Sequence, residues 1–318
     1  MPVHAFVFPG QGSQTVGMGR DLAAAFGAAR EVFEEIDETL KQKLSRLMFE
    51  GPAEELTLTE NTQPALLAHS LAVLRVIERE GGLRLADQAA VVAGHSLGEY
   101  TALAAAGAFG APDAARLLRL RGAAMQKAVP AGAGAMAALL GAELPLAEDI
   151  CAEAAEGPDG REVVEPANDN GGGQVVISGH SAAVDRALDI AKGRGVRRAM
   201  RLQVSAPFHC ALMRPAAHAM AEALERTPPS APLVPVIANV TAAKATDPDT
   251  IRDNLVRQVT ATVRWRESVL AMAEMGVDSF IELGAGKVLS GLVRRIAPDA
   301  AAHNAGSPAE IEQLLKAL

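Results

Sequence analysis

Short apolar runs alternate with longer amphipathic stretches along most of the chain. The runs at 4–8, 89–93, 234–239 and 279–283 consist mainly of apolar residues, as do strands that are buried on both faces. The stretches between them carry apolar residues at helical spacing, most clearly in 62–80. This alternation predicts an α/β fold with a mainly parallel sheet covered by helices on both faces.

Further helices are predicted from spacing and composition at 21–49, 97–106, 112–127, 212–227, 251–258, 269–275 and 287–295. In the helix at 62–80, Pro64 is expected in the first turn, where a proline is favoured. His69 lies in the same helix, and we interpret it as a core or rim residue rather than a ligand.

A different pattern follows the glycine-rich stretch at 129–134. Strands and helices are predicted there in the order β-α-β-β-α-β, at 135–140, 143–155, 162–167, 174–178, 181–192 and 197–202. This order is the split βαβ arrangement of a ferredoxin-like unit. We therefore predict a small subdomain at 131–203, inserted into a core formed by 1–130 and 204–318.

The apolar run at 89–93 ends in Gly94-His95-Ser96-Leu97-Gly98, a G-x-S-x-G sequence between a predicted strand and a predicted helix. In such a turn the glycines let strand and helix approach closely, and the serine hydroxyl projects outwards. The amide of Leu97 at the start of the helix is then placed to stabilise an oxyanion. The motif alone also fits a tight turn with an incidental serine.

Two loops offer groups that a serine nucleophile needs. Gln11 follows the first strand and is a candidate for a second oxyanion amide, although Gly10 and Gly12 also fit a simple turn. His209 lies on an irregular segment after the predicted insert and is a candidate general base. The alternative for His209 is a histidine that is packed or solvated at a domain junction.

Arginines recur on the predicted helix at 112–127. Arg116, Arg119 and Arg121 fit a solvated helix face. One of them on the same side as the serine would instead be able to hold a carboxylate through two parallel N–H bonds.

Composition and charge disfavour several other classes. The 318 residues have a net charge of −8 and only 3% aromatic residues, which argues against nucleic acid as a partner. Cys151 and Cys210 are too few for a disulfide framework and suit a reducing compartment. No apolar run reaches membrane-spanning length, so we expect a cytoplasmic protein without membrane segments. The loops at 168–173 and 284–287 match neither a calcium loop nor a phosphate loop, and no metal site is predicted.

Six short motifs occur together, in order, over nearly the whole chain. They are Gly10-Gln11-Gly12-Ser13-Gln14, Thr62-Gln63-Pro64-Ala65, Gly94-His95-Ser96-Leu97-Gly98-Glu99, Arg121-Gly122, Ala206-Pro207-Phe208-His209-Cys210 and Glu282-Leu283-Gly284. In this combination the chain resembles the malonyl-CoA:acyl carrier protein transacylase family, the acyltransferases of fatty acid and polyketide synthesis. The resemblance implies a hydrolase-like α/β core, a ferredoxin-like insert, and an active site in the cleft between them.

The resemblance also implies catalytic roles by position. Ser96 would be the nucleophile and His209 its base, with the main-chain carbonyl of Gln258 orienting the histidine. The amides of Gln11 and Leu97 would be the oxyanion donors. A malonyl group would pass from malonyl-CoA to the serine and then to the phosphopantetheine thiol of acyl carrier protein, with no cofactor beyond these substrates.

The same resemblance implies a substrate-binding set. Arg121 matches the arginine that holds the malonyl carboxylate, and we expect further substrate contacts at Gln63, His95, Asn168 and Phe208. The bulky Phe208 resembles the malonyl-selective acyltransferase domains of polyketide synthases, and it should exclude branched acyl groups by crowding.

The carrier protein is expected to be acidic, which calls for a local basic patch on this acidic chain. The candidate carrier-docking residues are Lys192, Arg194, Arg197, Arg198 and Arg201. The same run also fits an ordinary solvated face. We expect the chain to be a monomer.

Several functions therefore remain open at this point. We expect malonyl transfer for fatty acid synthesis. The alternatives are a stand-alone malonyl-selective acyltransferase that serves a polyketide synthase, a serine thioesterase or esterase, and a non-catalytic module that binds the carrier protein.

Overall fold

The computed structural model describes residues 2–317 and contains two main β-sheets. Its strands are β1 (His4–Phe8), β2 (Ala89–Gly94), β3 (Gly134–Leu140), β4 (Glu156–Gly157), β5 (Gly160–Arg161), β6 (Val164–Asp169), β7 (Gln174–His180), β8 (Arg198–Arg201), β9 (Val236–Ile237), β10 (Lys244–Ala245), β11 (Ser279–Leu283) and β12 (Ala301–Ala305). Its α-helices are α1 (Arg20–Ala25), α2 (Gly27–Leu40), α3 (Leu44–Glu50), α4 (Ala53–Thr57), α5 (Thr59–Gly81), α6 (Leu85–Gln88), α7 (Leu97–Ala105), α8 (Ala111–Lys127), α9 (Leu144–Ala154), α10 (Ser181–Gly193), α11 (Arg214–Arg226), α12 (Pro248–Gln258), α13 (Trp265–Glu274), α14 (Val288–Ile296) and α15 (Pro308–Ala317).

The larger sheet has the strand order β10-β9-β2-β1-β11-β12 and is parallel except at β10. Successive side chains of a strand point to opposite faces. In β1, Phe6 and Phe8 therefore pack into one helical layer, and Ala5 and Val7 pack into the other. Apolar residues on both faces make this a covered parallel sheet, which confirms the predicted fold class.

The smaller sheet has the order β6-β7-β3-β8 and is antiparallel throughout. In β3, Ala135, Ala137 and Leu139 pack into a cluster with α9 and α10. Met136 points the other way, and together with Val176 of β7 it lines a cavity beside the larger sheet. One face of this sheet thus forms a wall of the cleft.

Hydrogen bonds fix the smaller sheet to the rest of the molecule next to that cleft. Asp169 N donates to the carbonyl of Val263, and Val263 N donates to the carbonyl of Ala167, each across 2.9 Å. The buried carboxylate of Asp169 also pairs with Arg266 at 2.8 Å. Residues 131–203 contain all four strands of this sheet, and we propose them as the inserted subdomain.

Some elements differ from the sequence-based prediction. The stretch 21–49 is divided among three helices. Helix α5 begins at Thr59, so Pro64 lies inside the helix. The prediction that Pro64 occupies the first turn was therefore wrong. The side chains of Asn61 and Thr62 bond to carbonyls of the preceding helix, and this extends α5 towards its N-terminus. The predicted turn at Asn168 is instead the end of β6, because Asn168 and Asp169 still pair with Val176 and Val175 of β7.

The described residues offer neither a membrane span nor a metal site. No helix within residues 2–317 has both the length and the apolar character that a membrane crossing requires. Over the same range, no group of histidine, cysteine and acidic side chains is arranged to hold a metal ion. Cys151 and Cys210 are both buried and both free.

Candidate active site

Ser96 lies on the turn between β2 and α7, with a φ of 54° and a ψ of −111°. This conformation is strained for a residue with a side chain, and such strain is typical of functional turns. The turn needs both flanking glycines. A Cβ on Gly94 would overlap the backbone of Gly98, and a Cβ on Gly98 would overlap the carbonyl of Phe8.

Asn239, which follows β9, holds this turn from both sides. Its Oδ1 accepts a hydrogen bond from Ser96 N at 2.8 Å, and its Nδ2 donates to the carbonyl of Gly94 at 2.7 Å. No sequence motif singled out this residue. The one available signal was its position at the carboxyl end of a short apolar strand, where parallel sheets place functional groups.

His209 faces Ser96 from the segment that returns from the smaller sheet. The Ser96 hydroxyl donates to Nε2 of His209 across 2.8 Å, and Nδ1–H donates to the main-chain carbonyl of Gln258 at 2.9 Å. The carbonyl contact fixes the tautomer in which Nε2 accepts. Burial and the positive charge of Arg121 lower the pKa of His209 to about 3, so the ring is neutral near pH 7.

Arg121 projects from α8 into the same site and is 1% exposed. Its Nη2 donates to Ser96 Oγ at 3.1 Å and to Oε1 of Gln258 at 2.8 Å, and its Nη1 donates to Oε1 of Gln63 at 2.9 Å. The guanidinium also lies over the ring of Tyr100, 5.6 Å from the centroid. All of these direct hydrogen-bond partners are neutral, so an anionic ligand in the site is able to form a direct ion pair with the guanidinium.

The other two arginines of this helix point elsewhere. Arg116 is exposed and pairs with Asp113, and Arg119 bonds to Gln42. The carboxylate-binding alternative raised by the sequence therefore concerns Arg121 alone.

The groups around the serine open into one cavity of about 260 Å³ between the two sheets. Its lining includes the substrate positions expected from the sequence, namely Gln63, His95, Arg121, Asn168 and Phe208. His95 is partly buried, and its Nε2 bonds to Oδ1 of Asn170 at 2.9 Å, which ties the serine turn to the loop between β6 and β7.

Gln11 and Leu97 also line this cavity. The main-chain N–H of Ser96 is occupied by Asn239. By contrast, the amides of Gln11 and Leu97 donate to no group within residues 2–317. The side chain of Gln11 is held by Thr59, to which its Nε2 donates at 3.3 Å.

The basic residues of the expected docking surface lie outside the cavity lining. Lys192, Arg194 and Arg201 pair with nearby carboxylates. Arg197 and Arg198 are exposed and form no ion pair with any residue of the described range. Of the five candidate docking residues, Arg197 and Arg198 are therefore the two whose charge is not compensated by a carboxylate within the described residues.

A serine on a strand-to-helix turn, hydrogen-bonded to a neutral histidine inside an α/β fold, defines a serine enzyme of acyl transfer. The family model described as "Acyl transferase domain" matches residues 5–306. The chain belongs to this acyl transferase family.

Individual relatives resemble the chain over its full length. The malonyl CoA-acyl carrier protein transacylase of Escherichia coli K12 is 48% identical over 316 residues, which are 99% of this chain and 100% of the relative. The crystal structure of an acyl-carrier-protein S-malonyltransferase from Bartonella henselae is 53% identical, with a TM-score of 0.95 and 99% of each chain covered. A malonyl-transacylase solved in complex with its type II polyketide synthase acyl carrier protein is 43% identical, with a TM-score of 0.95, and 99% of this chain and 100% of that chain are covered.

Proposed function

We propose that this chain transfers a malonyl group from malonyl-CoA to the phosphopantetheine thiol of an acyl carrier protein. Full-length similarity to transacylases named for that activity supports the proposal. The observation that carries it is the position of Ser96 Oγ, which is 2.8 Å from His209 Nε2 and 3.1 Å from Arg121 Nη2. One contact provides the nucleophile with a base, and the other places a positive charge beside the acyl group.

In the first half-reaction, Ser96 Oγ attacks the thioester carbonyl of malonyl-CoA. His209 Nε2 takes the hydroxyl proton, and the free amides of Gln11 and Leu97 donate to the oxyanion of the tetrahedral intermediate. The carbon–sulfur bond then breaks, and His209 returns the proton to the departing CoA thiolate. The product is a malonyl ester on Ser96.

The second half-reaction reverses these roles. The carrier thiol gives its proton to His209 and attacks the ester carbonyl, and the same two amides stabilise the second oxyanion. When the carbon–oxygen bond breaks, His209 protonates the serine oxygen. Since each bond that forms replaces an equivalent acyl bond, the exchange needs no cofactor of its own.

Arg121 is proposed to hold the free carboxylate of the malonyl group, with Gln63 supporting the guanidinium. The charge of Arg121 helps to lower the pKa of His209, after the larger effect of burial. A bound carboxylate offsets that charge and raises the basicity of His209 as the substrate arrives. A neutral acyl group gives neither the ion pair nor this gain in basicity.

Phe208 is proposed to restrict the acyl group itself. Phe208 is 8% exposed and lines the cavity together with Met125 and Met136. A substituent on the α-carbon of the acyl group has to displace these side chains, so branched acyl groups are disfavoured.

The experiment is the intact mass of the protein after mixing with malonyl-CoA. The wild-type chain should gain the mass of one malonyl ester, which peptide mapping should locate at Ser96, and holo acyl carrier protein should then remove it. Ser96→Ala should gain no mass. A label at another residue would contradict the mechanism, and release of free malonate without transfer would indicate the thioesterase.

We propose that the product feeds fatty acid synthesis in the cytoplasm, where a reducing environment suits two free cysteines. A polyketide carrier is the second candidate, because one similar structure is a malonyl-transacylase bound to a polyketide synthase carrier protein. Rates of malonyl transfer to purified holo carriers of the two classes distinguish the candidates.

A further inference from the structure

A buried carboxylate lies directly beneath the site and takes no part in the steps above. Glu99 is on α7, three residues after Ser96, and is 2% exposed. Its Oε2 accepts two hydrogen bonds, from Asn239 N at 3.0 Å and from Nε2 of Gln258 at 2.7 Å. A carboxylate at such depth requires hydrogen bonds and a compensating charge.

Both partners of Glu99 hold the reacting groups in place. The side chain of Asn239 clamps the strained turn at Ser96. The main-chain carbonyl of Gln258 orients His209. The side-chain Nε2 of Gln258 also donates to the carbonyl of Ser96 at 3.0 Å. One carboxylate oxygen therefore connects the segment that holds the nucleophile with the segment that holds the base.

The side-chain amide of Gln258 lies between two buried charges. An ionised carboxylate accepts hydrogen bonds and cannot donate them, so Glu99 requires the NH₂ group of this amide on its side. The amide oxygen then faces Arg121, whose Nη2 donates to it at 2.8 Å. A reversed amide would set its NH₂ group against the guanidinium and its oxygen against the carboxylate.

We propose that ionised Glu99 is a positioning residue, which fixes the amide of Gln258 so that Arg121 faces the acyl group and His209 faces Ser96. The buried carboxylate is also the counter-charge of Arg121, which it reaches through the amide. This inference rests on the proposed function, because it assigns a further residue to the same site.

The ionisation of Glu99 is sensitive to its surroundings. Burial raises its pKa to about 7, against the hydrogen bonds from Asn239 and Gln258 and the positive charge of Arg121 on α8. Tyr100 is its neighbouring titratable group on α7, and burial raises the pKa of this tyrosine further above its ordinary value, so it stays protonated in this pH range. When Glu99 is protonated, below about pH 7, the NH₂ group of Gln258 is no longer required to face it. We therefore expect kcat/KM for malonyl-CoA to increase as the pH is raised through about 7.

The decisive variant is Glu99→Gln, which keeps the shape and an acceptor oxygen but removes the charge. The kcat/KM for acylation of Ser96 by malonyl-CoA should be roughly 10- to 100-fold lower in this variant, since small misplacements of reacting groups have effects of this size. The preference for malonyl-CoA over acetyl-CoA should fall, and the rise near pH 7 should disappear. Titration of the substrate itself is common to both proteins and cancels in the comparison.

Glu282→Gln is the matched control. Glu282 is also fully buried, but its oxygens accept from the amides of Leu289 and Ser290 at the start of α14. This variant should be less stable and should keep both the pH step and the acyl preference.

The outcomes separate this proposal from the proposed function. If the wild-type chain is not acylated at all, the proposed function fails. If the wild type is acylated and Glu99→Gln keeps the pH step and the acyl preference, the proposal for Glu99 alone is overturned. Equal effects of the Glu99 and Glu282 variants on the acyl preference would also overturn it.

Discussion

Ser96 and His209 both have a positive φ, of 54° and 60°, which is unusual for residues with a side chain. Such conformations cost about 1–3 kcal/mol each and persist where the surroundings impose them. Here the surroundings are specific polar contacts. Asn239 bonds on both sides of Ser96, and the carbonyl of Gln258 accepts from the ring of His209. At the scale of the residue, the geometry of the pair depends on side chains that do not react.

Replacing Arg121 with alanine tests the acyl preference of the site. Loss of a buried, hydrogen-bonded cation should lower kcat/KM for malonyl-CoA by roughly 30- to 1000-fold. Acetyl-CoA has no carboxylate to lose, so its kcat/KM should change far less. Stopped-flow acylation with both substrates measures the ratio, and Arg116→Ala on the exposed side of α8 is the control. An unchanged ratio in Arg121→Ala would remove this residue from substrate recognition.

His209 should make the fold sensitive to acid. Its pKa is about 3 in the folded chain against a reference value of 6.5, mainly because of burial. Between these values the unfolded chain binds a proton that the folded chain does not, so the free energy of unfolding decreases as the pH falls. One such proton contributes about 1.4 kcal/mol per pH unit. Urea unfolding from pH 6 to pH 4 should therefore show a steeper loss for the wild type than for His209→Gln, and parallel curves would contradict this.

At the scale of the element, the serine turn depends on close contact between β1, β2 and α7. Gly98→Ala should destabilise the protein by about 3 kcal/mol or more, because the new Cβ would overlap the carbonyl of Phe8. Gly291→Ala is the control, since that glycine lies inside α14 with open space around it. It should be neutral or more stable by about 0.5–1 kcal/mol. Thermal unfolding compares the two, and similar melting temperatures would contradict the packing argument.

The elements that the sequence predicted best are those whose burial leaves a simple pattern. Strand β11 was predicted with both boundaries correct, because its five residues are all buried and are apolar apart from Ser279 and Glu282. Strand β12, with the sequence AAHNA, was missed. It is an edge strand, and its pairing with β11 stabilises residues that show no strand pattern of their own.

The pairing of Ser96 with His209 joins positions 113 residues apart. Local spacing predicts a turn for the first residue and an irregular segment for the second, but no contact between them. Only the resemblance to a family related the two in advance. Asn239 and Glu99 were missed as functional residues, because their roles arise from hydrogen bonds between segments that only the fold brings together.

At the scale of the whole molecule, the cavity lies between the two main sheets. Core clusters on each face of the larger sheet and a separate cluster behind the smaller one leave the polar site between them. Two hydrogen bonds join the two sides of the cleft. His95 bonds to Asn170, and Arg266 donates to Asp169. The position of the smaller sheet therefore determines the width of the cleft that a long thioester arm must enter.

The charge of the whole molecule poses a problem for docking, since a chain with a net charge of −8 has to recognise a carrier that we expect to be acidic. Arg197 and Arg198 lie at β8, on the edge of the smaller sheet, and their charges are uncompensated within the described residues. Reversing both to glutamate should raise the KM for holo carrier protein by roughly three- to tenfold and leave the KM for malonyl-CoA unchanged. The effect should shrink as salt is added, because exposed charges are screened.

The control is the double variant Arg46→Glu with Arg84→Glu, which changes the net charge by the same amount. Arg46 is an exposed residue of α3, and Arg84 is the exposed residue just before α6. This double variant should have little effect on the KM for the carrier. If both double variants raise the KM for the carrier protein equally, then the net charge of the chain governs carrier binding, and the surface at Arg197 and Arg198 does not.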